Sequence, residues 1–196
     1  MQLTEDEIKR KLRKMQKENR YRHTLGVMHE AERLAAMVGA DTKKARLAGL
    51  LHDCAKNMDE KCGVSLFELA KRYCVTLDKY ASQEKALVHA FLGAAVARRD
   101  YGVEDEEVLS AIYYHTTGRA SMTLLEKVVY LADVTETGRN LQMAAVARKI
   151  VETDFEGALI YSMGCSIRHV IDKGGIIHPD SVHALNYLIE SRRAQN

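Results

Sequence analysis

The sequence predicts an all-α protein folded as one domain, and three observations predict it. Apolar residues recur at three- and four-residue spacing along most of the chain, helix starts and stops are legible between the apolar stripes, and no alternating run of useful strand length occurs. Leu25, Met28, Ala31, Ala35 and Val38 form one stripe, and Ala45, Ala48, Leu51 and Ala55 form another. Val108 and Ile112, then Leu124, Val128 and Leu131, continue the pattern.

Most elements carry a start or stop signal of their own. Thr4-x-x-Glu7 fits a capping box, in which each side chain satisfies an orphan amide, and opens a helix over 4–18. A second helix, 21–38, carries the first stripe. Gly39 followed closely by Asp41 ends it and starts the next, over 42–56. Helices over 65–74 and 83–101 come next. Gly102 before Glu104 and Asp105 then punctuates the chain, acids being favoured in a first turn, and gives 104–116. The remaining helices are expected over 122–134, 140–151, 154–173 and 181–193, with Thr153-x-x-Glu156 as a second capping box. The single proline is Pro179, and no repeat, low-complexity tract or linker divides residues 1–196.

The 196 residues are long enough to bury a substantial core. Lys plus Arg minus Asp plus Glu is 29 − 27 = +2, so no global charge steers the chain to DNA or an acidic membrane. Any polyanion must meet a local basic cluster. The opening "MQLTEDEIKR" lacks the apolar run of a signal peptide, and no stretch approaches the roughly 18 apolar residues of a membrane span. Cys54, Cys62, Cys74 and Cys165 show no CxxC spacing, which excludes a zinc ribbon or a redox motif of that kind. Cys54 and Cys165 read as small apolar residues, and a reducing cytoplasm is the expected location. No GxxxxGK[ST] loop suggests a kinase or ATPase.

The chemistry concentrates in six residues. His23 stands in "RYRHTLGV", His52 and Asp53 in "LLHDCAK", His89 in "ALVHAFLGA", His115 in "AIYYHTTG" and Asp133 in "VVYLADVTE". Each histidine alone fits a core residue bonded to a neighbouring carbonyl. Together, four imidazoles and two carboxylates exceed the four ligands of one tetrahedral ion. They suit two cations roughly 3.5–4 Å apart with a bridging carboxylate. Nitrogen and oxygen donors favour iron, manganese or zinc over a softer metal.

The order H…HD…H…H…D resembles the HD-domain metal-dependent phosphohydrolases. Arg20 before His23, "LLHDCAK", "HTTG" at 115–118, "LAD" at 131–133 and "HPD" at 178–180 resemble one branch more closely, the YqeK-type symmetrical dinucleoside tetraphosphatases. The resemblance runs from residue 20 nearly to the end. It implies an all-α domain with a core about 18–140, the helices of 140–196 packing on it and contributing to the nucleotide pocket. It also implies two divalent ions, iron by preference, and cleavage of diadenosine tetraphosphate into two ADP by metal-activated water. Carried over, His23, His52, Asp53 and Asp133 hold one ion, and His89 and His115 the other, with Asp53 bridging. The family often has proline near the position of Thr137; here Thr137 and Gly138 leave that turn less restrained.

Arg20 lies one helical turn before His23, Lys56 follows Asp53 by three residues, and Arg139 follows Asp133 by six. Arg suits bidentate phosphate contact and Lys a compact charge, so these three are the expected phosphate ligands, with Arg119 a weaker fourth. Asp53, His52 and Lys56 are the expected catalytic set. Asp53, His115 and Thr116 are expected to meet substrate as well, and Ile176, Ile177 and His178, in "GGIIHPDS", to lie over the nucleotide base. The expected partner is a small dinucleoside polyphosphate, with ADP or GDP as product, and neither nucleic acid nor membrane; a homodimer is left open. Two other readings stand beside this one. The first is a nucleotidase of the same family acting on monophosphates or alarmones, and the second a nucleotide-binding regulator without turnover.

Overall fold

The computed structural model describes residues 3–139 and 142–194; among them lie eleven helices and no strand. They are α1 (Glu5–Met15), α2 (Glu18–Val38), α3 (Thr42–Leu51), α4 (Met58–Cys62), α5 (Leu66–Arg72), α6 (Lys85–Tyr101), α7 (Glu106–Tyr114), α8 (Leu124–Thr135), α9 (Gln142–Val151), α10 (Phe155–Asp172) and α11 (Pro179–Arg193). The Thr4–Glu7 capping box is formed, and Asp41 and Asp105 cap α3 and α7 through their carboxylates. The start of the helix expected at 140 falls on two residues, 140 and 141, outside the described ones; α9 runs from Gln142.

Three expectations need correction, and two features were not expected. The helix read over 42–56 stops at Leu51, and residues 52–57 are turns, because His52 folds its ring back onto its own helix. The helix over 104–116 stops at Tyr114 for the same reason, with His115 at its end. The second capping box is displaced: Asp154, one residue on, caps α10 by accepting from the Gly157 amide at 2.8 Å, while the Thr153 hydroxyl donates to the Ile150 carbonyl. A capping box unseen in the sequence, Thr123 with Glu126, opens α8, and the five-residue α4 is too short to show a period.

Packing follows the stripes. α2 lies against α3 and α8, α6 against α7, α7 against α8, and α10 against α9, α8 and α11. One apolar cluster joins them from Ile8 of α1 to Leu188 of α11, with Val27, Leu51, Ile112, Leu131 and Leu159 fully buried. Truncating such a leucine to alanine costs about 2–5 kcal/mol. α1 is also pinned by Arg46 of α3, which donates to Glu5 and Glu32. The Arg46 guanidinium holds the Glu5 carboxyl down at about 2.

Two turns are fixed by helices distant in sequence. After His115 the chain passes through Gly118 at φ +66, where a Cβ would sit 2.6 Å from Met163 Cε and 3.2 Å from Ala184 Cβ. That loop is therefore seated on α10 and α11, and only glycine fits. The turn at Thr137–Gly138, which lacks proline, is restrained from α9 instead: Arg148 Nη1 donates to the carbonyls of Thr135, Glu136 and Arg139 at 3.3, 3.0 and 3.3 Å.

Candidate metal centre

The six expected ligands come from five helices and converge. His23 stands in the second turn of α2, His52 and Asp53 follow the end of α3, His89 lies within α6, His115 ends α7 and Asp133 lies in the last turn of α8. The ring centroids of His23 and His52 are 5.4 Å apart, those of His52 and His115 5.2 Å, and those of His89 and His115 5.1 Å. His52, Asp53, His89 and His115 are buried, and His23 and Asp133 nearly so.

The rings are aimed from behind. His52 Nδ1 donates to the Gly49 carbonyl at 2.7 Å, and His115 Nδ1 to the Ile112 carbonyl at 2.7 Å. Each acceptor lies three residues back, in the last turn of the helix that the histidine ends, where carbonyls have no intrahelical partner. His23 Nδ1 lies 3.0 Å from Glu136 Oε1. All three rings therefore turn Nε2 toward a shared centre, the arrangement by which a neighbouring acceptor fixes a ligating imidazole's tautomer and orientation.

At that centre Asp53 is the hub. Its Oδ1 lies 3.2 Å from His89 Nε2 and 3.7 Å from His115 Nε2, and its Oδ2 lies 3.5 Å from His52 Nε2. Asp133 Oδ1 lies 3.0 Å from His23 Nε2 and 3.7 Å from His52 Nε2. His89 and His115 meet Nε2 to Nε2 at 3.2 Å. His23 Nε2, His52 Nε2 and Asp53 Oδ1 are buried with no hydrogen-bond partner. Burying such atoms unpaired is costly, and a divalent cation is the partner whose chemistry fits two bare imidazole nitrogens and a carboxylate oxygen. Two groups can each close on one ion: His23, His52 and Asp53, and Asp53, His89 and His115. Asp53 belongs to both.

The electrostatics agree with a cationic ligand. Burial pushes the Asp53 carboxyl up, but the surrounding His52, His115 and His89 outweigh it and hold the group well below the usual carboxylate range. Asp133 is held low in the same way, with burial opposed by His23 and Arg139. Burial, with Lys56 beside it, brings His89 down to about 4, so its ring is neutral at ordinary pH, as a ligand must be.

Basic groups ring the cluster. Arg20 Nη1 donates to Asp53 Oδ2 at 2.7 Å, Arg139 Nη2 to Asp133 Oδ1 at 2.6 Å, and Lys56 Nζ lies 3.1 Å from His89 Nε2. The three line a cavity of about 710 Å³ together with Asp53, His89, His115, Thr116 and Asp133. His23 and His52 lie beneath its wall. Ile176, Ile177 and His178 line the same cavity, so the expected base segment shares one space with four of the six expected metal ligands, Asp53, His89, His115 and Asp133. Arg119 is not among them: it is committed to the buried Glu126 at 3.1 Å.

That segment is tied down by residues the sequence did not single out. Glu84 accepts from the Ile176 amide at 3.0 Å, and Asp78 Oδ2 lies 2.6 Å from His178 Nε2. His178 Nδ1 accepts from the Asp180 amide and so caps α11. Both ring nitrogens of His178 are thus used within the protein, and its ring packs against Tyr80 and Phe91 with centroids 5.8 and 6.0 Å apart. Glu136 was also missed. The only signal for it was its place three residues after Asp133 in "ADVTE".

The HD-domain family model matches residues 20–138, which span all six converging residues. The chain belongs to the HD-domain family. Beyond the match, this HD domain is 40% identical over 172 residues to a protein of Bacillus subtilis (strain 168) named symmetrical bis(5'-nucleosyl)-tetraphosphatase, covering 88% of this chain and 90% of that one. It is 39% identical over 177 residues to the protein of that name from Halalkalibacterium halodurans, with the same coverage. A crystal structure from Clostridium acetobutylicum, described as a predicted HD superfamily hydrolase involved in NAD metabolism, superposes with a TM-score of 0.90 at 41% identity. It covers 97% of this chain and is itself covered in full.

Proposed function

We propose that this HD domain is a metal-dependent hydrolase that splits dinucleoside tetraphosphates symmetrically into two nucleoside diphosphates, diadenosine tetraphosphate giving two ADP. The observation that carries the reading is the convergence of unpartnered Nε2 and Oδ1 atoms on Asp53, at the wall of a cavity that three basic side chains also line. The relatives' shared name supplies the substrate class. Two divalent ions are the proposed cofactors, with iron preferred over manganese or zinc. His23, His52, Asp53 and Asp133 would hold one, and His89 and His115 the other, with Asp53 shared.

When bound there, a divalent ion would lower the pKa of water toward about 7 and polarise phosphoryl oxygens. The chain's own residues do the rest. Arg20 and Arg139, each against a ligand carboxylate, are placed to grip phosphoryl oxygens beside the reacting phosphorus, and Lys56 to neutralise the leaving diphosphate. Thr116, next to His115, offers a hydroxyl to the same phosphate row. Ile176, Ile177 and the His178 ring would cover the base. Water adds across the central P–O–P anhydride, one nucleoside diphosphate leaving on each side. Residues 1–196 act as one domain in this reading, the C-terminal helices completing the pocket, and the cytoplasm is the proposed location. No helix among the described residues is long and apolar enough to cross a membrane.

The test is anaerobic purification with metal analysis, followed by product identification from diadenosine tetraphosphate. ADP as sole product with two iron ions per chain is expected. Phosphate released from AMP, with no ADP from the tetraphosphate, would sink the reading; ADP bound tightly with nothing hydrolysed would mark a regulator instead.

A further inference from the structure

Glu136 is 2% exposed and lies on no predicted site, yet both of its carboxylate oxygens are committed. Oε1 lies 3.0 Å from His23 Nδ1, and Oε2 accepts from the Gly138 amide at 2.6 Å. We infer that Glu136 is a positioning residue: its carboxylate orients His23 for the metal and, with the other oxygen, sets the turn that presents Arg139. The inference rests on the reading of His23 as a metal ligand.

The geometry supports both halves of that role. With Nδ1 engaged by a carboxylate, His23 points Nε2 to within 3.0 Å of Asp133 Oδ1, on the side where the other bare nitrogens meet. A carboxylate behind an imidazole also raises its basicity as a ligand. The Glu136 backbone closes the turn, its amide on the Ala132 carbonyl and its own carbonyl receiving the Arg139 amide at 3.2 Å. One side chain therefore links α2, the end of α8 and the arginine that contacts Asp133.

Gly26 supplies the room. It lies inside α2, one turn beyond His23, where glycine weakens a helix relative to alanine. A Cβ there would collide with Glu136 Oε2 and come within 3.2 Å of Cδ, but would stay 3.5 Å from the Glu136 Cβ, an ordinary contact. The clash is with the carboxylate alone, so it should vanish when the carboxylate is removed.

Metal-free protein titrated with Mn²⁺ by calorimetry, alongside thermal unfolding, tests it. Glu136→Gln, whose amide cannot accept from both partners, should weaken Mn²⁺ binding roughly 10- to 100-fold. Gly26→Ala should weaken it as well. Added to Glu136→Ala, however, Gly26→Ala should cost no further affinity and should raise Tm. Arg148→Met frees the same turn's carbonyls without touching His23 and should leave Mn²⁺ affinity unchanged. Wild-type uptake matched by Glu136→Gln overturns this inference alone. So does an Arg148→Met loss as large as that of Glu136→Gln, because the carboxylate would then serve only the turn. A wild type that takes up no Mn²⁺ overturns the metal reading, and this inference with it.

Discussion

His23 and His89 each stand inside a helix and project into the same cluster, but they are held in opposite ways. Behind His23 is the buried Glu136 carboxylate, itself fixed by the Gly138 amide. Among the described residues, the polar partners of the His89 ring are groups of the site: Lys56 at 3.1 Å, His115 at 3.2 Å and Asp53 at 3.2 Å. His23 is thus oriented before any ion arrives, whereas His89 depends for its orientation on the charges it serves. A ligand supported from outside gives a tighter site than one supported from within. If the site holds the two ions proposed, they should therefore differ, with the His89 side the more exchangeable.

Substitutions can break or sharpen that contrast. Asp53→Ala should abolish it, since the shared carboxylate serves both sides: both ions and all measurable activity are expected to be lost. Two metals per chain by elemental analysis of that variant would refute the shared role. His89→Ala should separate the sides, lowering the metal content from two toward one while the His23 ion remains; loss of both would show the sites to be interdependent. Arg139→Ala touches a ligand carboxylate without ligating. Losing one charge-assisted contact, worth about 1.5–3 kcal/mol, it should lower kcat/KM roughly 10- to 100-fold, mainly through KM, at unchanged metal content. Metal loss would make Arg139 a support of Asp133 rather than a phosphate ligand.

The smallest effect is a control far from both sides. Glu5, held at about 2 by Arg46 against an ordinary 4.5, binds its proton more weakly folded than unfolded. Its contribution to stability is therefore present above pH 4.5 and lost as pH falls from 4.5 toward 2. Glu5→Gln should lower Tm slightly at pH 7 and flatten the fall over that window, with metal content unaltered. A variant whose Tm tracks the wild type from pH 7 down to 2 would show that the α1 clamp carries no stability.

The six converging residues and most helices were legible because their signals are local. Each histidine sits in its own apolar stripe, and Asp41, Asp105 and the Thr4–Glu7 pair announce their helices within four residues. What stayed hidden depends on chain segments far apart in sequence. Glu136 reads as a helix-end acid until α2 is laid against α8 and brings His23 to it, across 113 residues. Asp78 and Glu84 sit in a polar loop whose purpose appears only when the segment 174–178 lies beside it. The ends of α3 and α7 were missed for a different reason. Their apolar period runs on past the end, and what stops each helix is a single side-chain bond that no periodicity records.

Those two bonds each do two jobs at once. At His52 and at His115 one contact both terminates a helix and aims an imidazole, so termination and ligand placement are a single event within four consecutive residues. Such a unit is self-contained. It needs no partner from elsewhere in the chain to orient its ring, and it is complete as soon as its helix has formed. Two portable cassettes of this kind could be moved onto the ends of other helices, and the distance between those ends would then be the main variable left to a designer of new binding centres.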